Sequence, residues 1–177
     1  MVGDGREWLA AQPLPHGARD QVSIAVAMID ALERQIAPLD RKLRAYARRQ
    51  PGCKALMAHR GIGELISITI LAELGDARRF ANSRDAVRYT GLDITVYQSD
   101  QHRAPGKLSR QGPPALRWAL YEAAQQARHP RSPDRAYYLQ AAERLGANRA
   151  CLALTRKLLK RCYHTLRELG DQALLPA

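Results

Sequence analysis

An all-α protein is the fold class this sequence predicts, and three stretches predict it. From Asp20 to Arg49, Val22, Ala25, Ile29, Leu32, Ile36, Leu39, Leu43 and Tyr46 alternate spacings of three and four, the a/d seam of one long helix. From Leu56 to Asp76, two short helical stretches meet at Gly61-Ile62-Gly63. From Asn148 to Leu169, Cys151, Leu154, Leu158, Cys162 and Leu166 line one face of an amphipathic helix. The expected architecture is a long N-terminal coiled-coil helix followed by a helical domain with a helix-hairpin-helix-like unit.

Taken in order, residues 1–18 carry Gly3, Gly5, Pro13, Pro15 and Gly17, too much punctuation for a regular element. The heptad helix follows; at 1.5 Å per residue it reaches roughly 45 Å, with Pro38 as an expected kink. Its narrow seam fits either self-association or packing onto the chain's own body. Pro51-Gly52 ends it. In the Gly61-Ile62-Gly63 hairpin, glycines permit a tight turn and close approach to a phosphate, and the second helix aims its N-terminal N–H groups there. Ser67 lets the helices cross closely, and Arg60 stands where such hairpins usually carry proline. The same glycines also suit an αα-hairpin with no ligand.

Gly75 stops the second helix, Asn82 or Ser83 caps a helix from Arg84 to Thr90, and Gly91 ends it. Ile94, Val96 and Tyr97 favour an extended segment. Pro113 or Pro114 opens a helix to about Arg128, a further helix runs from about Asp134 to Leu145, and Gly146 ends that one. On the last helix Arg149, Arg156, Lys160 and Arg167 form a basic stripe, either a solvated face or a phosphate contact. From Gly170 the tail is expected to fray.

Charge narrows the function classes. The chain of 177 residues carries 28 Lys/Arg against 17 Asp/Glu, a formal net charge of +11. Residues 101–177 hold 14 basic and 5 acidic side chains (+9), whereas residues 1–100 hold 14 and 12 (+2). Such lopsidedness is the footprint of a nucleic-acid binder. No stretch is long and apolar enough to span a bilayer, and Asp4 with no apolar run excludes a signal peptide, so a cytoplasmic protein without membrane contact is expected. Cys53, Cys151 and Cys162 are odd in number and widely spaced, which fits reduced core thiols. The histidines show no metal-ligand spacing, and no phosphate-binding glycine motif occurs, so no metal or cofactor is assigned to this chain.

The chemistry concentrates between Gly91 and Arg117. Ser99 lies on a polar, extended stretch followed by His102, Arg103, Lys107 and Arg110. A hydroxyl among cations suits a nucleophile attacking an anionic substrate. A solvated loop whose serine caps a turn reads the same residues without chemistry.

These residues carry a resemblance. Gly61-Ile62-Gly63, Leu71-Ala72-Glu73-Leu74-Gly75-Asp76, Arg79-Phe80, Tyr89-Thr90-Gly91-Leu92, Ser99, Gly106, Ser109-Arg110, Gly112 and Leu116-Arg117 together resemble the C-terminal domain of bacterial insertion-sequence transposases of the one-hundred-ten type. The resemblance implies an RNA-guided recombinase that cuts and rejoins DNA through a phosphoserine link. By that resemblance Ser99 falls at the nucleophile; from the hairpin glycines and the basic residues themselves, Gly61, Ile62, Gly63, Arg103, Lys107, Arg110 and Arg117 are the expected nucleic-acid contacts. The resemblance also implies a RuvC-like domain whose acidic cluster binds Mg²⁺, and a guide RNA; self-association through residues 20–46 is expected from the heptad seam. The expected domains are a linker or fragment start at 1–18, the coiled-coil helix at 19–50, the DNA-binding serine domain at 51–170 and a tail at 171–177.

The departures are Gln98 for the first serine of the family's doublet, Asp100 for its glycine, a thinned basic run, and Pro113 for asparagine. Too few residues precede the heptad helix for a RuvC-like domain, so the sequence reads as an excised piece, a split gene product or a decayed copy. Alone it is expected to bind nucleic acid and not to complete strand exchange. The rival classes are a non-catalytic hairpin module that binds nucleic-acid backbone and a coiled-coil interaction protein with a merely solubilising basic surface.

Overall fold

The computed structural model describes residues 2–95, 98–99, 102–103 and 106–176. The chain divides into two compact units, Met1–Lys42 and Leu43–Ala177. The described residues are predominantly helical, as expected, with two very short antiparallel strand pairs.

The first unit holds α1 (Val2–Ala11) and most of α2 (His16–Ala47). That α1 is a helix departs from the reading of residues 1–18 as irregular. Its glycines cost about 1 kcal/mol each relative to alanine, which neighbouring contacts offset. Arg6 pairs with Asp30 of α2 and lies 3.9 Å from Glu33. Arg19 donates to the carbonyls of Gln12 (2.7 Å) and Ala10 (3.3 Å), groups that a helix end leaves without partners. Pro13 and Pro15 fall in the connection, where they interrupt no ladder. α2 continues helically through Pro38.

The second unit takes in the last turn of α2 and continues with α3 (Pro51–Leu56), which corrects the role given to Pro51: it opens a helix instead of closing one. Proline at the first turn lacks only an N–H that would be orphaned anyway. Gln50 caps this helix by accepting from the Cys53 N–H at 2.7 Å. Next come α4 (Glu64–Leu74), a 3₁₀ turn (Ala77–Arg79) and α5 (Ser83–Tyr89), capped by Asn82, whose side chain accepts from the N–H groups of Arg84 and Asp85. β1 (Ile94–Thr95) pairs with β4 (Lys107–Leu108), and β2 (Gln98–Ser99) with β3 (His102–Arg103). α6 (Pro114–Gln125) continues as a 3₁₀ turn to Arg128, followed by α7 (Arg135–Leu145) and α8 (Ala147–Leu169).

α8 is the axis of this unit, packing on α3, α5, α6 and α7. The face predicted for it is the buried one: Cys151, Leu154, Leu158, Cys162 and Leu166 all lie inside. Leu158, Cys162 and Leu166 join Leu56, Ile70, Leu116, Leu120 and Tyr163 in the main core, while Cys151 and Leu154 pack with Ala124, Tyr138 and Ala141 in a second cluster. The tail differs from expectation. Gly170–Leu174 forms a 3₁₀ turn with Ala173 buried, because the Gln50 amide donates to the Ala173 carbonyl at 2.6 Å. A side chain on Gly52 would lie 2.5 Å from that same carbonyl, so only glycine lets the segment seat.

Candidate functional site

The strand pairs grow from a stem built where residues 89–93 cross residues 109–113. A Cβ on Gly112 would stand 2.0 Å from the Tyr89 carbonyl oxygen, and one on Gly91 2.7 Å from the Gln111 nitrogen. Gly91 also has φ +67°, a conformation glycine adopts without steric cost. The two glycines therefore let backbone lie on backbone. The Arg110 N–H donates to the Gly91 carbonyl, and the Ser109 N–H to that of Asp93, each at 3.1 Å. Arg110 itself has φ +55° and points into solvent.

Side chains fasten this crossing to the helical body. The Arg117 guanidinium on α6 donates to the carbonyls of Thr90 (3.2 Å) and Gly112. Arg156 of α8 donates Nε to the Leu92 carbonyl at 2.6 Å. The Ser109 hydroxyl donates to Asp93 Oδ1 at 2.5 Å, joining the two arms just below β1 and β4. Higher up, the Thr95 hydroxyl donates to the Lys107 carbonyl at 3.0 Å. Burial lowers the pKa of Arg156, opposed by the nearby charge of Asp93. The stem can thus hold a strand pair at a fixed place while exposing cations along it.

Ser99 lies on β2, its backbone paired with His102. Its side chain, and that of Arg103, fall outside the described residues. Lys107 and Arg110 are exposed, whereas Arg117 is turned inward onto carbonyls. Gly61, Ile62 and Gly63 lie at the opposite end of α6. There a Cβ on Gly61, φ +89°, would stand 2.4 Å from the Ala123 carbonyl, and Ile62 is buried. Around Gly63 a Cβ would meet nothing within 4 Å. Ser67 is fully buried at the α3–α4 crossing, with Cys53 against it. Glu64 opens α4 and binds Arg48 (3.0 Å) and Arg44 (3.5 Å); its own backbone N–H and Arg48 hold its carboxyl below the usual range.

The basic stripe on α8 divides. Arg156 serves the stem, and Arg167 donates to the Phe80 carbonyl at 2.9 Å, leaving Arg149 and Lys160 as the exposed members. Asp93 and Arg156 belong to the stem although the sequence alone does not assign them to it. Asp93 had one available signal, its proximity to Gly91; Arg156 had none, since its partner lies 64 residues away. Among the described residues, no three His, Cys, Asp or Glu side chains gather as a metal site. No described helix is long and apolar enough to cross a membrane.

Residues 53–139, from α3 through the stem and into α7, match the family described as "Transposase IS116/IS110/IS902 family". A "Probable family 20 transposase" of Pseudomonas aeruginosa is 29% identical over 112 residues, 63% of this chain and 33% of the relative. The "Transposase for insertion sequence element IS1111A" of Coxiella burnetii is 29% identical over 126 residues, 69% of this chain and 35% of the relative. The chain thus spans about a third of the length of the curated relatives it matches. The stem and the Gly61 hairpin lie inside the matched region, which is similar to part of a transposase of that family.

Proposed function

We propose that residues 51–170 are the DNA-binding, serine-bearing part of an insertion-sequence transposase, with Ser99 as nucleophile. The observation that carries this reading is the stem. Two glycines, Arg117 and Arg156 fix the base of the β1–β4 pair, and Ser99 lies on β2 of the next strand pair along the chain, where the resemblance implies the attacking hydroxyl. In the proposed step the Ser99 oxygen bonds to a DNA phosphorus while the bond to a deoxyribose oxygen breaks. The serine proton leaves and the released deoxyribose hydroxyl gains one, so no redox partner is needed. Arg103, Lys107 and Arg110 supply positive charge to the phosphate; Arg117 supports them by holding the stem. A serine hydroxyl is a weak nucleophile unless activated. The resemblance assigns Mg²⁺ to a RuvC-like domain, and the described residues of this chain hold no cluster that fits it, so no step is derived through metal.

A guide RNA and self-association through residues 20–46 belong to the same proposal. In the hairpin, Gly61 and Ile62 shape the turn, while Gly63, the open position, is the proposed point of phosphate contact. The second reading, a non-catalytic nucleic-acid-binding module, is favoured by the same open hairpin. The deciding experiment supplies a RuvC-like partner domain, guide RNA, Mg²⁺ and cleavable DNA, then seeks a denaturant-resistant protein–DNA adduct. Ser99→Ala should abolish it and Ser109→Ala should leave it detectable. An adduct that survives in Ser99→Ala overturns the nucleophile assignment, and none in the parent chain favours the binding module.

A further inference from the structure

Beyond the cations of the stem, the second unit carries a separate group at the far end of α6. His129, which follows the 3₁₀ turn ending α6, receives the Arg131 N–H on Nδ1 at 3.2 Å, and Arg60 Nη2 lies 3.4 Å from the same nitrogen. Backbone N–H and guanidinium groups only donate, so Nδ1 is the acceptor of both. The imidazole thereby joins Arg60, from the Gly61 hairpin, to the segment between α6 and α7. Arg135 donates to the Arg128 carbonyl, and Arg128 Nε donates to the Tyr138 hydroxyl at 3.1 Å, bringing two further guanidinium groups to that segment.

The group lacks counter-charge, as do Arg84, Arg88 and Arg149 elsewhere in the unit, and what sets it apart is that hydrogen bonds through His129, the Arg128 carbonyl and Tyr138 gather it on one segment. Among the described residues, none of Arg60, Arg128, Arg131 and Arg135 has a carboxylate within 4.0 Å. Elsewhere in the unit, Arg78 and Arg161 are paired. The acid belonging to the segment, Asp134, is already bound by Arg161 at 2.6 Å and Lys157 at 3.3 Å on α8. Arg60, Arg128 and Arg131 are exposed, and the segment is stiffened by Pro130 and Pro133. Like charges held together without acids repel one another, and an external anion relieves that repulsion.

We infer that Arg60, Arg128, Arg131 and Arg135 form a second anchor for nucleic-acid backbone phosphates, at the end of α6 opposite the stem. This rests on the nucleic-acid reading above and adds a site to it. From Arg117 to Arg128 along α6 and its 3₁₀ extension is roughly 17 Å, or about five nucleotide rises along one strand. The anchor therefore serves phosphates distinct from those at the stem.

The test measures affinity of the full chain for a 30-base-pair duplex and for a structured RNA hairpin across a salt series. Arg60→Gln with Arg131→Gln should lower the log–log salt slope by about two and weaken binding at least tenfold, on the order expected when two phosphate contacts are lost. Arg60→Lys with Arg131→Lys, which keeps the charge, should recover most of the slope. Arg41→Gln with Arg34→Gln removes two exposed cations of α2 and should change it little. The polymer whose binding suffers identifies the source of the phosphates; loss with both assigns a shared backbone contact. A parent that binds and an unchanged slope in the Arg60/Arg131 variant overturns this inference alone, as does an equal loss in the α2 control. A parent that binds neither polymer at low salt overturns the underlying reading as well.

Discussion

Arg156 on α8 donates to the Leu92 carbonyl at 2.6 Å, tying the last long helix to the foot of the strand pair. The guanidinium is half-buried and lies near Asp93, so the bond is partly shielded from water. A bond from a charged donor contributes about 1.5–3 kcal/mol, and a carbonyl left without a donor is costly. Arg156→Met, which keeps bulk but removes the donor, should lower stability by about 1–3 kcal/mol in urea unfolding. Arg156→Lys should recover only part, because an ammonium does not reproduce the planar fork. A methionine variant within about 0.5 kcal/mol of the parent would mean that the bond contributes no more than an average surface contact.

The glycines should separate sharply under substitution. Gly112→Ala places a Cβ 2.0 Å from backbone at Tyr89, and Gly61→Ala places one 2.4 Å from the Ala123 carbonyl at a positive φ. Neither neighbour is a flexible side-chain end, so each change should cost more than about 4 kcal/mol or prevent folding. Gly63→Ser meets open space at a helix N-cap and should stabilise by a few tenths of a kcal/mol. If the hairpin backbone meets phosphate at Gly63, the same variant should bind DNA more weakly. Unchanged affinity in a folded Gly63→Ser protein would reduce this turn to a structural role.

How far these positions were legible follows from the range of the forces involved. The buried face of α8 and the Asn82 cap depend on residues within a few turns, and the sequence pattern carries them. Pro51 was misread because proline both ends and begins helices, and only the side chain of Gln50 decides between them. α1 and the tail depend on distant partners: Asp30 for Arg6, and Gln50 for the Ala173 carbonyl. The candidate site divides in the same way. Gly91 and Gly112 stand out as motif glycines, but the inward turn of Arg117 and the reach of Arg156 to Leu92 arise only from the tertiary crossing.

Acid should destabilise the protein in two steps. Burial, and then the charge of Arg161, draws the pKa of His59 below its ordinary value, so the unfolded chain takes up the proton first. Its contribution is present above the unfolded value near 6.5 and is lost as pH falls toward the folded one. The Arg161 bond, followed by Lys157, holds Asp134 below the usual carboxylate range. That contribution is present above roughly pH 4 and disappears on further acidification through the folded pKa. Stability measured by urea midpoint should therefore decline below about pH 6.5 and again below about pH 4. His59→Gln should flatten the first decline, and Asp134→Asn should reduce the second, to which Asp30, Glu64 and Asp76, also held below the usual carboxylate range by arginines or backbone N–H groups, contribute too. Curves that keep both slopes in the double variant would assign the acid sensitivity to other groups.

The apolar seam of α2 gives the remaining prediction. Within the first unit Ile29, Leu32, Ile36 and Leu39 are 49–58% exposed, although they occupy successive a/d positions. Val22, Val26 and Asp30 of α2 are half-buried, and Asp30 pairs with Arg6 of α1. An isolated helix does not benefit from a narrow apolar seam; a second helix placed against it does, at about 25 cal/mol per Å² of apolar surface covered. The proposed occupant is a second copy of α2, which presents the same seam and makes the pairing self-complementary. Sedimentation of the full chain should show a dimer or higher species at tens of micromolar. Leu32→Asp with Ile36→Asp places two carboxylates per protomer in that seam, and the association constant should fall by at least about 100-fold. Leu32→Val with Ile36→Val, which keeps the seam apolar, should retain association. A parent protein that stays monomeric at high micromolar concentration would remove residues 20–46 as an oligomer interface, and the exposed row on α2 would then have to be covered by a different partner or remain in water.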